Sequence, residues 1–253
     1  MKLHDFLETM EQIAPAALAL DFDNAGLLIG PEKEDIRKVL IALDCSLDTA
    51  REAIQWSADL LLTHHPVFFG GIKRILPHDP DTAAPWLLLR HGIGLFAAHT
   101  NLDAVRGGVN DCLCAALGIQ DTVPLPPDNM GRIGKIPPVP LRDLALKVQD
   151  TLHAVVRVAG PLQQTVSTIS VLGGAGGDAI YAASAAGAQV LLTGEIKHHQ
   201  GLAASALNFC IIEAGHYETE QVVLPCLLQR LQGSQNDVQY KLTCSETACL
   251  KGI

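Results

Sequence analysis

The sequence predicts an α/β protein of two similar halves, each a mixed, largely parallel sheet flanked by helices. Three observations carry that expectation. A βαβ-like pattern occurs twice. Each copy is followed by an apolar run that ends in a histidine, with an acid four residues further on. Finally, 48% hydrophobic against 18% charged residues, with mean hydropathy +0.23, is the profile of a buried α/β sheet or of a chain with large subunit contacts.

In chain order, Val39 to Asp44 ("VLIALD") reads as a strand, roughly Leu47 to Trp56 as a helix and Ala58 to Thr63 ("ADLLLT") as a second strand. Thr168 to Leu172 ("TISVL"), Asp178 to Ala186 and Ala188 to Thr193 ("AQVLLT") repeat the strand, helix and strand, which implies parallel strands joined by crossover helices. After the first copy comes "LFAAHTNLD", Leu95 to Asp103; after the second comes "IIEAGHYETE", Ile211 to Glu220. Positions i and i+4 share a helical face, so His99 with Asp103, and His216 with Glu220, can aim a nitrogen and a carboxylate at one point. The prolines of "PLPPDN", Pro124 to Asn129, oppose regular structure and place the division near residue 125, giving halves 1–125 and 126–253. A second proline cluster, Pro137 to Pro140, precedes helical spacing over Leu141 to Val148. Whether the C-terminal segment packs back on the first half is left open by sequence.

Composition narrows the function classes. At 253 residues the chain can bury a substantial core, and a net charge of −9 offers no broad positive field for nucleic acid, so strong nucleic-acid binding is not expected. Asp5 and Glu8 interrupt the N-terminal apolar residues, no run of about 18 apolar residues could span a bilayer, and the expected location is the cytoplasm. Seven cysteines with no pair three apart suggest neither a disulfide framework nor a zinc ribbon; Cys112 and Cys114 fall on a helix expected to end near Gly118 and read as buried free thiols.

The chemistry centres on "LLTHHPVFFGG", Leu61 to Gly71. Pro66 ends the strand, and at its mouth both His64 and His65 can leave the packed layer. Adjacent imidazoles there would be costly to bury unpaired, and neutral imidazole is a common metal ligand. His4, His78, His91 and His153 stand in polar or helical contexts and read as solvated surface rings.

These blocks, with "FDNAGLLIG" at 22–30, "AAHTNLDAVRGGVND" at 97–111, "MGRIGKIP" at 130–137, "LLTGEIKHH" at 191–199 and "GHYETE" at 215–220, resemble the Nif-three-like dinuclear metal-centre proteins, also called GTP cyclohydrolase 1 type 2-like. The resemblance spans nearly the whole chain, with Ala25 where the family often has a larger apolar residue and without the domain that longer members insert. It implies a Nif-three-like fold, a homohexamer, and two divalent transition-metal ions per chain held by His64, His65, Asp103, His216 and Glu220, with His99 beside the ligands rather than among them. Three imidazoles and two carboxylates suit zinc, iron or manganese better than calcium, and five ligands for two ions leave positions open for hydrolytic chemistry. Glu220 is the expected bridging carboxylate.

"TGEIKHH", Thr193 to His199, stands in the second half where the His64 pair stands in the first. It reads either as a polar loop or as a substrate shell, with Lys197 meeting anionic oxygen and Glu195 or His198 moving protons. In "GGAGG", Gly174, Gly176 and Ala179 fit a loose dinucleotide pattern with Glu195 downstream, although such glycines more often serve a positive φ or close packing. The expected function is a dinuclear metal-dependent hydrolase of a nucleotide-like or phosphate-bearing small molecule. Its rival is a metal-binding assembly or regulatory protein without turnover.

Overall fold

A computed structural model of the chain describes residues 1–234 and 237–250. Contacts divide the chain into two compact units. The first comprises Met1–Val105 and Leu224–Thr247; the second comprises Arg106–Val223 with, among the described residues, 248–250.

The first unit opens with α1 (Leu3–Ile13), β1 (Gly26–Ile29), β2 (Lys38–Ala42), α2 (Leu47–Trp56), β3 (Leu60–Thr63), α3 (Ala83–Arg90), β4 (Gly94–Ala97) and α4 (Thr100–Ala104). The expected strand, helix and strand are present, and α2 begins at Leu47 for a local reason. Ser46 Oγ accepts the Thr49 N–H at 3.1 Å while Thr49 Oγ1 accepts the Ser46 N–H at 2.8 Å, a reciprocal cap at the orphaned first turn. β2, β3 and β4 pair in parallel, and β1 closes one edge antiparallel to β4. Leu60, Leu61 and Leu62 are all buried, which a strand tolerates only when both its faces are covered. Burying each such side chain is worth roughly 2 kcal/mol.

The second unit contains α5 (Val109–Leu117), β5 (Gln120–Pro124), β6 (Arg132–Pro140), α6 (Leu141–Leu152), β7 (Arg157–Ala159), β8 (Thr165–Leu172), α7 (Ile180–Ala185), β9 (Val190–Thr193), α8 (His198–Ala206), β10 (Cys210–Glu213) and α9 (His216–Glu220). Its strands follow the order β5-β6-β8-β9-β10-β7, with β8, β9 and β10 parallel and the other pairs antiparallel. The parallel trio β8, β9, β10 is the counterpart of β2, β3, β4, as the repeat implies. α5 ends as expected, Gly118 supplying the left-handed residue that closes it, and Cys112 and Cys114 are buried free thiols. The expected helix from Asp178 is shorter, because a 3₁₀ turn over Gly176–Ala179 precedes α7.

The chain then returns to the first unit through α10 (Val223–Gly233) and β11 (Gln239–Leu242), which adds to the free edge of β2 in parallel register from Gln239 opposite Lys38 to Leu242 opposite Ile41. Contacts break the chain at Val105/Arg106 rather than at the prolines after Val123. The physical reason is that Pro124 ends an edge strand, β5, where a missing N–H costs no ladder bond, and the turn that follows leads directly back into its partner β6. The two sheets are therefore mixed, and only the first is mainly parallel. His4, His78, His91 and His153 are exposed, and no described helix is long and apolar enough to cross a membrane.

Candidate metal centre

In the first unit the carboxyl ends of the parallel strands carry the chemistry, the usual place for a site in such sheets. β3 ends at Thr63, whose hydroxyl donates to the His65 carbonyl at 2.8 Å and so shapes the turn that presents both rings. His64 does not leave the packed layer: its side chain is 1% exposed. Burial is tolerated because its Nδ1 donates to the Ala98 carbonyl at 2.8 Å, just beyond β4. His65 does emerge, and its Nδ1 lies 2.8 Å from Asp44 Oδ1 at the end of β2. His99 follows β4, and its Nδ1 lies 2.8 Å from Asp23 Oδ1.

All three imidazoles therefore present Nδ1 to an oxygen acceptor. A carbonyl or carboxylate oxygen can only accept, so Nδ1 carries the proton and Nε2 carries the lone pair in each neutral ring. Their centroids lie 4.9 Å (His64–His65), 5.2 Å (His64–His99) and 5.7 Å (His65–His99) apart, and one ring nitrogen from each falls within 4.8 Å of the other two. Asp103 adds a carboxylate oxygen 3.6 Å from His64 Nε2. Its expected partner, His99, caps the start of α4 and turns to Asp23 instead, so this i,i+4 pair does not converge as a pair.

The Asp23 side chain is buried and also accepts the Thr100 N–H at 3.0 Å and the Thr100 hydroxyl. Burial pushes its carboxyl up, but the hydrogen bonds from Thr100 and His99 outweigh it and hold the carboxyl below its usual range. Burial, reinforced by the neighbouring His64, pushes His99 below the ordinary imidazole value, with Asp23 opposing. His99 is thus biased toward the neutral form that metal coordination needs.

In the second unit the matching positions carry a different arrangement. His216 and Glu220 do converge, Nε2 to Oε2 at 3.2 Å, on the single turn of α9, and Glu195 Oε1 lies 3.5 Å from His216 Nδ1. Gly174 ties its own turn to the turn after β9 and to α9 around them. Its carbonyl accepts the N–H groups of Gly194 at 2.9 Å and Glu195 at 3.0 Å, while its own N–H donates to Thr219 Oγ1 at 3.0 Å. Gly174 has φ +61°, and a Cβ there would collide with the Glu220 carboxylate. The "GGAGG" run accordingly serves positive φ and close packing at this turn. Of the proposed proton-transfer and anion-binding groups, only Glu195 stands beside a candidate ligand. Lys197 and His198 instead line a cavity of about 330 Å³ with Arg157, Glu213, Ile196 and Leu202. Arg157 there is ion-paired to the buried Glu213.

Three imidazoles with preset lone pairs and nearby carboxylates fit a divalent transition metal, and all-oxygen preference makes calcium a poor occupant. Sequence reasoning missed Asp23 and Asp44. The available signal was modest: Asp23 lies within "FDNAG", and Asp44 is an acid just past a parallel strand. Other blocks hold the second unit together. Asn110 bridges the Gly173 N–H at 2.9 Å and the Met130 carbonyl at 2.7 Å, and Asp111 grips the buried Arg132 through Nε at 2.6 Å and Nη2 at 3.3 Å.

The family model described as Duf34/NIF3 (NGG1p interacting factor 3) matches residues 1–249. A Clostridium perfringens protein called a GTP cyclohydrolase 1 type 2 homolog is 32% identical over 232 residues, covering 88% of each chain, and a Methanocaldococcus jannaschii protein of the same name is 31% identical over 222 residues, covering 87% of this chain and 90% of its own. A hypothetical protein from Staphylococcus aureus superposes with TM-score 0.93 at 26% identity, covering 100% of this chain and 99% of its own. Reduced HcgD from Methanocaldococcus jannaschii superposes with TM-score 0.84 at 29% identity, covering 96% and 97% respectively. With the mixed α/β sheets, the histidine cluster and these matches together, the chain belongs to the Duf34/NIF3 family.

Proposed function

We propose that the protein is a cytoplasmic, dinuclear metal-dependent hydrolase of a nucleotide-like or phosphate-bearing small molecule. His64, His65, Asp103, His216 and Glu220 would hold two ions of zinc, iron or manganese. The observation that carries this reading is the Nδ1 anchoring of His64, His65 and His99, which leaves a lone pair on each Nε2. His99 stands close enough to His64 to serve beside the ligands, and Asp23 sets its ring. When bound, the ions would supply Lewis acidity for water activation and charge stabilisation. Glu195, 3.5 Å from His216 Nδ1, would hold or pass a proton. Lys197 and His198 would meet an anionic portion of the substrate from the cavity they line. The relatives' name, GTP cyclohydrolase 1 type 2 homolog, points to a nucleotide as the first substrate to try. A homohexamer is the proposed assembly.

Two measurements test this. Elemental analysis should give about two transition-metal equivalents per chain, dropping to near zero in the His64→Ala, His65→Ala double variant; full occupancy in that variant would overturn the ligand assignment. Metal-loaded protein should then be screened against nucleotides, phosphoesters and cyclic amides beside Glu220→Gln. Turnover lost in Glu220→Gln supports a hydrolase, whereas metal uptake with no turnover on any substrate identifies a metal-binding assembly protein instead.

A further inference from the structure

We propose that Glu246, near the C-terminal end of the chain, is a positioning residue for His65, acting through Asp44. The inference rests on the metal-centre reading for its consequence, but its geometry stands independently within the first unit. Glu246 follows β11 and grips the end of β2: its Oε2 accepts the Leu43 N–H at 2.8 Å and its Oε1 accepts the Asp44 N–H at 2.7 Å. These two donors lie just past the last residue of β2, where the ladder no longer supplies acceptors. Asp44 Oδ1 in turn receives the His65 Nδ1–H at 2.8 Å, and the Leu43 carbonyl accepts the His65 backbone N–H at 2.9 Å. One carboxylate thus fixes both peptides on which the backbone and the ring of His65 depend.

Glu246 is itself delivered by a strap pinned along its length. The Thr243 N–H donates to the Ile41 carbonyl at 2.8 Å, continuing the β11–β2 pairing. Glu52 of α2, buried beneath, accepts from Lys241 Nζ at 2.7 Å, the Thr243 hydroxyl at 2.5 Å, and the N–H groups of Cys244 at 3.0 Å and Ser245 at 3.1 Å. So concentrated a set of bonds leaves the strap little freedom except the one arrangement that seats Glu246. The His65 side chain is therefore supported by a residue 181 positions away in sequence. Carboxylates that orient a ligating histidine commonly change metal affinity by about 10- to 100-fold. Glu246 acts one step further out, so the expected effect is at the lower end.

The test uses the full chain with Glu246→Ala, Glu246→Gln, Asp44→Ala and the Asp44→Ala/Glu246→Ala double variant. Zinc affinity is measured by chelator competition, and the tautomer of His65 is read by long-range ¹H–¹⁵N correlation of histidine-labelled metal-free protein. Glu246→Ala should weaken zinc about tenfold and blur the Nδ1–H signature of His65. Glu246→Gln, which keeps the size and one acceptor oxygen, should recover part of both. In the Asp44→Ala background, Glu246→Ala should add nothing, because the path runs through Asp44. Independent, multiplying effects of the two substitutions, or an unchanged His65 signature in folded Glu246→Ala, would overturn the proposal and leave Glu246 a simple strap anchor. If the wild-type chain takes up no zinc, the metal reading fails, and the His65 signature alone decides the role of Glu246.

Discussion

Asp23 and Asp44 are acids whose importance lies in what they do to neighbouring rings. Each accepts a proton-bearing Nδ1 at 2.8 Å, so each selects the tautomer in which Nε2 keeps the lone pair that a metal would need. Asp23→Asn and Asp44→Asn are expected to weaken zinc binding by about 10- to 100-fold with the fold retained, measured by chelator competition alongside circular dichroism. Asp23 also has a titration signature. Burial and His64 lower the His99 pKa and Asp23 raises it, so removing the carboxylate leaves only the lowering influences. The ¹⁵N titration midpoint of His99 in metal-free Asp23→Asn should therefore fall below that of the wild type; a midpoint that rises would contradict the arrangement.

At the scale of elements, the clearest device is the docking of β11 and the residues after it onto α2 and β2. Burial pushes the Glu52 carboxyl up, but hydrogen bonds from Lys241, Thr243, Ser245 and Cys244 outweigh it and bring its pKa down to about 2 from 4.5. A carboxyl depressed in the folded state contributes stability that is present above the unfolded value and lost as pH falls through the folded one. Glu52→Gln, which leaves several of these donors without a carboxylate acceptor, should thus lower stability by roughly 1–3 kcal/mol at neutral pH. Its deficit relative to wild type should shrink as pH falls from 4.5 toward 2 in urea titrations. The turn at Gly174 makes a second element-level prediction. Gly174→Ala must strain a positive φ, costing roughly 1 kcal/mol, and must also displace the Glu220 carboxylate. Metal content should drop with it, whereas Gly233→Ala, where the added methyl meets open space, should leave metal content unchanged.

For the molecule as a whole, the two units repeat one plan with different equipment. Thr63 and Thr193 both end buried parallel strands, and both hydroxyls brace a turn at the carboxyl ends of those strands: Thr63 donates to the His65 carbonyl in the turn after β3, while Thr193 donates to the Gly174 carbonyl and accepts the Gly176 N–H in the turn after β8. The turn after β3 carries two imidazoles and the turn after β9 carries Glu195, so the repeat preserves scaffold while the side chains diverge. The proposed assembly predicts a particle of six times the 26.9 kDa chain mass in sedimentation equilibrium. A monomer under metal-loaded conditions would remove the hexamer from the reading.

The amino-acid sequence by itself determined the strands and helices of the repeat, the stop of β3 at the paired histidines, the end of α5 at Gly118 and the i,i+4 approach of His216 and Glu220. These are local properties: runs of buried apolar residues, a reciprocal Ser46–Thr49 cap, a left-handed glycine and a single helical turn each act over a few residues. The tertiary structure decided what holds each ring, that Asp103 faces His64 rather than His99, that Lys197 and His198 line their own cavity, and that the C-terminal strand joins the first sheet. Asp23 meets His99 across 76 positions and Glu246 meets Asp44 across 202. No periodicity spans such distances, because those partners are chosen by which strands pair and which ends they bring together.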